Sequence, residues 1–198
     1  MSHFVVGVIT DSVPTERDVE DLLLPFWEGK QVDAYVSRTK EQMIADAKQT
    51  AKRIKENIAN GMSYAGEKWA KRYINAVTDE DFYNSEVYER GMYTEDGDEL
   101  STYNPNSKWD WFAIGGRYDG WFADENTITI QELRNHKDTF RTPYAFLLNG
   151  EWTEPGKMGW WCMTTATEES EAEYEKKFWE TIDTLPGDYF ITAVDCHI

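Results

Sequence analysis

The sequence predicts an α+β fold of the ferredoxin-like type, in which a split βαβ arrangement forms an antiparallel sheet core and a long helical and hairpin insertion interrupts it. The chain begins with a β-branched apolar run, HFVVGVIT at residues 3–10, which a helical pattern follows. Residues 140–198 have the order strand, strand, helix, strand. The two ends together give β-α and β-β-α-β, an order in which the first and last strands are antiparallel neighbours.

The length of 198 residues fits a single domain. We expect its core to comprise residues 1–30 plus 140–198, and residues 31–139 to be an insertion between the first helix and the second strand. No run of about 18 apolar residues occurs, and the N-terminal residues lack the basic start of a signal peptide. We therefore expect a cytoplasmic protein with no membrane partner.

Capping and stop signals mark the helices. Residues suited to an N-cap position, two of them in capping-box patterns, precede four helical segments: Thr15, Thr39, Ser63 and Thr165. Residues that end helices follow three of these segments: Pro25, Asn60-Gly61 and Pro186-Gly187. The second and third helices are joined by a glycine-containing link, so we expect them to form a helical hairpin within the insertion.

A β-hairpin is predicted where Asn149-Gly150 separates two apolar runs. The segment YAFLL at residues 144–148 precedes this pair, and Trp152 lies in the return strand. Asn-Gly between apolar runs is the strongest short-range hairpin signal. The chain then passes through the last helix to a final strand at residues 189–198.

The segment SKWDWFAIGGRYDGWF at residues 107–122 is rich in aromatic residues and glycine. One interpretation makes Gly115-Gly116 the turn of a hairpin whose tryptophans pack and whose Arg117 bridges Asp110 or Asp119. The alternative is a ligand pocket, in which Gly-Gly-Arg binds an anion and a tryptophan stacks on a planar ring. The spacing matches neither a P-loop nor a dinucleotide-binding fingerprint. The ligand-binding residues would be Lys108, Trp109, Arg117 and Trp160.

Candidate acid–base residues lie at the two ends of the chain. If the first and last strands are antiparallel neighbours, His3 comes close to Asp195 and His197, which project on one side of their strand. Two imidazoles and a carboxylate can transfer protons or bind a metal, so these three residues are the catalytic candidates. The alternative is histidines that are hydrogen-bonded at the rim of the sheet. Cys196 projects to the opposite face, which argues against a Cys–His catalytic pair.

Cofactor and metal motifs are incomplete in this sequence. Asp96, Asp98 and Glu99 form an acidic turn that lacks the EF-hand spacing. Cys162 and Cys196 are expected to be buried thiols, with a disulfide as the alternative. We therefore expect neither a cofactor nor a metal ion.

The net charge of −17 argues against direct binding to nucleic acid or to an anionic membrane. Residues 79–99 contain nine acidic residues against Arg90 alone, a net charge of −8. Such charge suits a surface that binds a basic partner, or it serves solubility. The residues expected to bind this partner are Asp79, Glu80, Asp81, Glu86, Glu89, Glu95, Asp96, Asp98 and Glu99.

Four short motifs carry a resemblance to a known family. The segments MSHF, NPNSKWDWFAIGGR, MGWW and VDCHI are similar to motifs of a family of uncharacterised phage and prophage proteins. The resemblance runs from Met1 to Ile198 but leaves out residues 30–100, and Tyr118 stands where the family has Trp. It implies a cytoplasmic, phage-associated accessory protein and supplies no reaction. The matching positions are Trp109, Asp110, Trp111, Gly115, Gly116, Arg117, Trp160, Trp161, Asp195 and His197.

Three functions are consistent with these patterns. The first is an accessory protein of phage type that binds a host or anti-phage defence protein through its acidic surface, as an inhibitor or a nucleic-acid mimic. The alternative is a nucleotide or small-molecule binding protein, or an enzyme, with an aromatic–arginine pocket. In the third, the motifs serve only the core. Binding ranks first because the sequence contains no complete set of catalytic residues. The sequence gives no indication of the oligomeric state.

Overall fold

The computed structural model describes residues 2–64, 67–159 and 163–198 and has an α+β fold. The chain divides into two compact units. The first, called here the sheet unit, comprises Met1–Lys30 and Tyr103–Ile198, and the second, the helical unit, comprises Gln31–Thr102. The elements in chain order are β1 (His3–Thr10), α1 (Glu16–Leu23), β2 (Tyr35–Arg38), α2 (Lys40–Ala59), α3 (Lys68–Ile74), α4 (Asp79–Glu86), β3 (Met92–Tyr93), β4 (Glu99–Ser101), β5 (Trp111–Ile114), β6 (Thr127–Thr129), α5 (Ile130–Asn135), β7 (Ala145–Leu148), β8 (Glu151–Thr153), α6 (Glu168–Thr184) and β9 (Phe190–His197).

The main sheet has the strand order β5-β9-β1-β7-β8, and β6 pairs with β9 beyond the end of β5. Strands β1 and β9 are antiparallel over their whole length, from the His3–His197 pair to the Thr10–Phe190 pair. This confirms the prediction that the first and last strands are antiparallel neighbours.

The position of β7 differs from the ferredoxin-like prediction. A ferredoxin-like core would place β8 beside β1 and keep the sheet antiparallel, whereas β7 pairs with β1 in parallel and the sheet is mixed. Ala145, Phe146 and Leu147 of β7 are buried, which suits a strand covered on both faces. Strand β8 is short and begins with the exposed Glu151, which suits the sheet edge that it occupies.

The predicted insertion at residues 31–139 is also too long. Strands β5 and β6 belong to the main sheet, and the helical unit ends at Thr102. The predicted hairpin at Gly115-Gly116 is wrong, because β5 pairs with β9 and the chain then enters a short 3₁₀ turn at Gly116–Tyr118. The edge of β9 offers backbone groups that β5 and β6 satisfy, and this long-range pairing overrides the local turn signal.

Most of the predicted chain signals are observed, with two shifts. The predicted N-cap at Thr15 and the predicted capping box at Thr39 are formed, and Asn149-Gly150 connects β7 to β8. The predicted cap at Ser63 is wrong, since α3 begins after Glu67. The last helix is capped by Thr167, two residues after the predicted Thr165.

Helices cover both faces of the main sheet. Phe178 and Ile182 of α6 pack with Leu133 of α5 on one face. Val19 and Leu23 of α1 pack on the other face. In the described residues no helix has the length and the apolar character that a membrane crossing would need.

The helical unit has its own core. Helix α2 packs on α3 and α4. Ala47, Ala51 and Ile54 of α2 form a buried cluster with Ala70 and Tyr73 of α3. A small antiparallel sheet of order β2-β4-β3 completes the unit.

Candidate functional site

Three neighbouring strands bring Trp111, His197 and His3 into one row. Trp111 of β5 and His3 of β1 are both register partners of His197. Ser2 and Ile198 exchange both backbone hydrogen bonds, at 3.1 and 3.0 Å, so His3 and His197 form the adjacent pair without backbone hydrogen bonds, in which side chains approach closely. The two imidazole centroids are 4.9 Å apart, and the centroids of His3 and Trp111 are 6.2 Å apart.

Alternation along the strands places this row on the α6 side of the sheet. Val5 and Ile9 pack in the core on that side, and His3 shares their parity along β1. Ile191 belongs to the same core, and His197 shares its parity along β9.

Each histidine is paired with a carboxylate. His3 Nδ1 lies 2.8 Å from Asp195 Oδ1, and His197 Nδ1 lies 2.6 Å from Asp110 Oδ1. A carboxylate accepts hydrogen bonds, so each Nδ1 carries the proton and each Nε2 is left as the basic nitrogen. We call His3, His197, Asp110 and Asp195 the sheet-end cluster. The predicted proximity of His3, Asp195 and His197 is therefore confirmed, whereas the pairing of Asp110 with His197 was not predicted.

Asp195 is held by the Gly-Gly-Arg segment. Its side chain is 1% exposed, and its Oδ2 accepts a hydrogen bond of 2.9 Å from the Arg117 backbone N–H. Gly116 has a φ of 56°, and a Cβ at this position would lie 2.6 Å from Asp195 Cβ and Oδ2. Only glycine fits both conditions. The segment therefore serves as a backbone support for the buried carboxylate.

The turn that follows reaches β1 as well. The Tyr118 hydroxyl donates a hydrogen bond of 3.0 Å to the carbonyl oxygen of His3. Residues of one 3₁₀ turn thus contact the partner carboxylate of His3 through Arg117 and the His3 backbone through Tyr118.

His197 Nε2 is buried and has no hydrogen-bond partner in the part of the chain that the structure describes. Among the described residues only one other buried side-chain polar atom, Trp121 Nε1, shares this condition. Leaving such an atom unsatisfied costs about 1–3 kcal/mol, so these atoms call for a functional explanation. Both histidine side chains are 14% exposed, whereas Asp110 is 41% and Trp111 51% exposed, so the cluster opens to solvent on the side of β5.

Cys196 lies on the opposite face, as predicted. It is fully buried with Phe4 and Val194, and burial raises the pKa of its thiol well above the usual value. This thiol stays protonated and does not act as a nucleophile. Cys162, the other predicted buried thiol, lies outside the described residues.

Two of the predicted ligand-binding residues have structural roles instead. Trp109 is buried, and its Nε1 donates a hydrogen bond of 3.1 Å to the Leu23 carbonyl oxygen. Lys108 Nζ lies 2.6 Å from Glu154. Arg117 has an exposed guanidinium, and no carboxylate of the described residues is within ion-pair distance of it. Trp160 lies outside the described residues.

The acidic residues predicted to bind a partner are largely used within the helical unit. Arg38 lies 2.9 Å from Glu86 and 2.8 Å from Glu99, and its hydrogen bonds lower the pKa of the Glu99 carboxyl. The other partners include Lys48 for Asp79, Lys40 for Glu80 and for Asp98, and Thr78 for Asp81. The described residues provide no such partner for three exposed members, Glu89, Glu95 and Asp96.

Negative charge is concentrated in the sheet unit. The helical unit contains 14 acidic and 10 basic residues, a net charge of −4, which leaves −13 of the total of −17 for the sheet unit. The net charge of a sequence segment does not include basic residues from elsewhere in the chain that pair with its acidic residues in the fold. Within the helical unit, Arg38, Lys40 and Lys48 pair with four of the nine acidic residues predicted to bind a partner.

In residues 2–64, 67–159 and 163–198, no group of three or more His, Cys, Asp or Glu side chains has the arrangement of a metal site. Comparisons of the chain with protein-family models, with curated proteins and with solved structures find no match.

Proposed function

We propose that the sheet-end cluster is a proton-transfer site that acts on a small-molecule ligand. The observation that carries this proposal is the contact of two Asp–His pairs, His3 with Asp195 and His197 with Asp110, at ring centroids 4.9 Å apart. Each aspartate fixes the orientation and the tautomer of its imidazole, which is how carboxylates support catalytic histidines in many enzymes.

The closeness of the two rings supports a shared site. Each imidazole is oriented by its own aspartate, and the ring centroids are 4.9 Å apart, so both rings can serve one bound molecule, as a proton transfer through that molecule requires. Neither ring is held by a metal-site arrangement among the described residues.

Trp111 supports a ligand with a planar ring. Its side chain is half exposed, and its ring lies 6.2 Å from the His3 ring in an edge-on arrangement. An exposed indole next to two imidazoles provides an apolar face on which a heterocycle or an aromatic ring can stack.

The motif positions of the phage-type resemblance give a further argument. Six of them, widely separated in sequence, meet at or next to the cluster: Asp110, Trp111, Gly116, Arg117, Asp195 and His197.

The proposal is tested by ligand screening followed by a search for turnover. Nucleotides, sugar phosphates and aromatic acids are first screened for an increase in Tm, and each stabilising compound is then followed by proton NMR with wild type and with His197→Gln. General acid–base catalysis contributes about 100-fold or more, so we expect His197→Gln to lower the rate by at least that factor. His136→Gln is the matched control, because His136 is exposed in a turn after α5, and it should leave the rate unchanged.

Two results would contradict the proposal. One is a turnover rate that is equal in wild type and His197→Gln. The other is the absence of both a Tm increase and turnover across the whole panel.

A second candidate function is binding to a basic partner, favoured by the charge of −13 in the sheet unit. Helix α6 alone has seven acidic residues and two lysines, Lys176 and Lys177, and both lysines are already paired. The resemblance to phage accessory proteins would make this partner a basic host or defence protein in the host cytoplasm. Electrostatic steering would make such association fast and sensitive to salt.

This second candidate is tested by pull-down from a bacterial lysate at low and high salt. We expect specific capture at low salt that is reduced when exposed acids of α6, Glu169, Glu173 and Glu175, are changed to glutamine. A matched variant with Glu89, Glu95 and Asp96 neutralised distinguishes α6 from the originally predicted region. Capture that is insensitive to both sets of changes would contradict an electrostatic interface.

A further inference from the structure

We propose that a surface groove adjoining the sheet-end cluster binds an oxoanion group, a phosphate or a carboxylate, of a small molecule. The groove has a volume of about 400 Å³, which suits a small ligand. Its lining includes the guanidinium-bearing residues Arg117 and Arg141 and the aromatic residues Tyr118, Trp121 and Phe140.

The two arginines are unusual cations in this acidic unit. The sheet unit has 23 acidic and 10 basic residues, and most of its described cations are paired or hydrogen-bonded. Arg17, Lys108, Lys137, Lys176 and Lys177 form ion pairs, and Arg134 donates to backbone carbonyl groups.

Arg117 and Arg141 are both exposed, and neither has an ion pair with the residues that the structure describes. They are separated in sequence by residues 118–140, yet they line one groove. Two guanidinium groups without carboxylate partners, brought together in a unit of net charge −13, form a local positive site. The planar guanidinium matches the oxygen geometry of phosphate and carboxylate groups, which a bidentate contact can exploit.

Asp119 also lines the groove, so its charge must be considered. Its Oδ1 accepts a hydrogen bond of 2.7 Å from Asn126 Nδ2, and Asn126 Oδ1 accepts one of 2.8 Å from the Gly120 N–H. Asp119 is thus engaged in shaping the loop, and it is not within ion-pair distance of either arginine in the described residues.

Trp121 contributes an aromatic wall to the groove. It lines the groove, and its ring is in edge contact with the Tyr118 ring at 5.4 Å. Aromatic walls beside two arginines suit a ligand that joins an oxoanion to an apolar or planar group.

The groove and the sheet-end cluster share the 3₁₀ turn. Arg117 lines the groove and donates its backbone N–H to Asp195, and Tyr118 lines the groove and donates its hydroxyl to the His3 carbonyl oxygen. We infer that the groove anchors the anionic end of the molecule on which the cluster acts. This last step rests on the proposed function, whereas binding of an oxoanion in the groove does not.

Binding is measured by isothermal titration with three probes, inorganic phosphate, phenyl phosphate and benzoate, each at an ionic strength matched with sodium chloride. The variants are Arg117→Gln and Arg141→Gln, and Arg17→Gln is the matched control, because Arg17 is an exposed arginine of α1 that does not line this groove. We expect saturable binding to wild type and to Arg17→Gln, and a loss of about tenfold in affinity for each groove variant.

Phenyl phosphate and benzoate distinguish the two sources of the anion, and tighter binding of either one, dependent on both arginines, supports the proposal. The absence of saturable binding for all three probes would overturn it, as would affinities that are unchanged in both groove variants. His197→Gln separates the two proposals. If the groove proposal holds, this variant binds the probes like wild type, whatever its effect on turnover.

Discussion

Replacing Gly116 by alanine tests whether the Gly-Gly-Arg segment supports the buried Asp195 carboxylate. Gly116 has a positive φ of 56°, at which an alanine is strained by about 1–2 kcal/mol. The new Cβ would lie 2.6 Å from Asp195 Cβ and Oδ2, so the turn must move and lengthen the Arg117 N–H hydrogen bond to Asp195. Losing a hydrogen bond to a buried charged group costs about 1.5–3 kcal/mol. The sum predicts a loss of about 2.5–5 kcal/mol in the free energy of unfolding.

Gly150→Ala is the matched control for backbone strain. Gly150 also has a positive φ, 78°, but no atom of the described residues lies within 4 Å of a Cβ built on it. Its substitution should cost only the strain, about 1–2 kcal/mol. Urea unfolding of both variants, with equal m values, measures the difference, which we expect to be about 1.5–3 kcal/mol. Equal losses for Gly116→Ala and Gly150→Ala would refute the proposed support of Asp195.

Three further predictions concern other parts of the chain. Hydrogen bonds from Arg38 lower the pKa of Glu99 in the folded state, so this interaction stabilises the protein above the ordinary pKa of 4.5 and is lost as the pH falls through the lower pKa of the folded state. In urea titrations from pH 7 to about 3, acid should therefore destabilise Glu99→Gln less steeply than wild type. Arg38→Gln leaves the Glu86 carboxylate, which is 10% exposed, without its guanidinium partner, and thermal or urea unfolding should show a loss of about 2–3 kcal/mol, with a change below 0.5 kcal/mol contradicting the assignment. In a Cys162→Ser background, a thiol reagent should label Cys196 only after denaturation, and rapid labelling of the native protein would show that Cys196 is accessible.

The terminal strands and most helix starts could be predicted from sequence because their signals are local. The β-branched run at residues 3–10, the N-cap at Thr15 and the capping box at Thr39 each depend on a few adjacent residues. The pairing of the first and last strands followed from the order of elements, and the proximity of His3 to His197 followed from that pairing.

The order of strands in the sheet could not be predicted from local signals. It depends on which strand of the β7–β8 hairpin pairs with β1 and is buried on both faces. The continuous apolar run AFLL of β7 indicates an inner strand. The ferredoxin-like prediction places β8 there instead, because it follows the order of elements and not this run. The pairing of β5 with β9 is a long-range event as well. Without it, neither the contact of Asp110 with His197 nor the support of Asp195 by Gly116 can be inferred.

The acidic region illustrates the same limit for electrostatics. In the sequence, residues 79–99 predict an exposed anionic surface. In the fold, the Arg38 guanidinium pairs with both Glu86 and Glu99, and Lys48 pairs with Asp79. Charge along the chain predicts net charge correctly, whereas the surface potential depends on which residues the fold brings together.

The central claim, that two aspartates orient two histidines at the end of the sheet, is tested most directly by nitrogen-15 NMR of the three histidines. We predict that His3 and His197 are protonated at Nδ1 with strongly hydrogen-bonded protons, that Asp110→Asn removes this signature from His197 alone, and that the exposed His136 lacks it. Spectra in which the ring protons of His3 and His197 exchange with water as freely as those of His136 would contradict this arrangement.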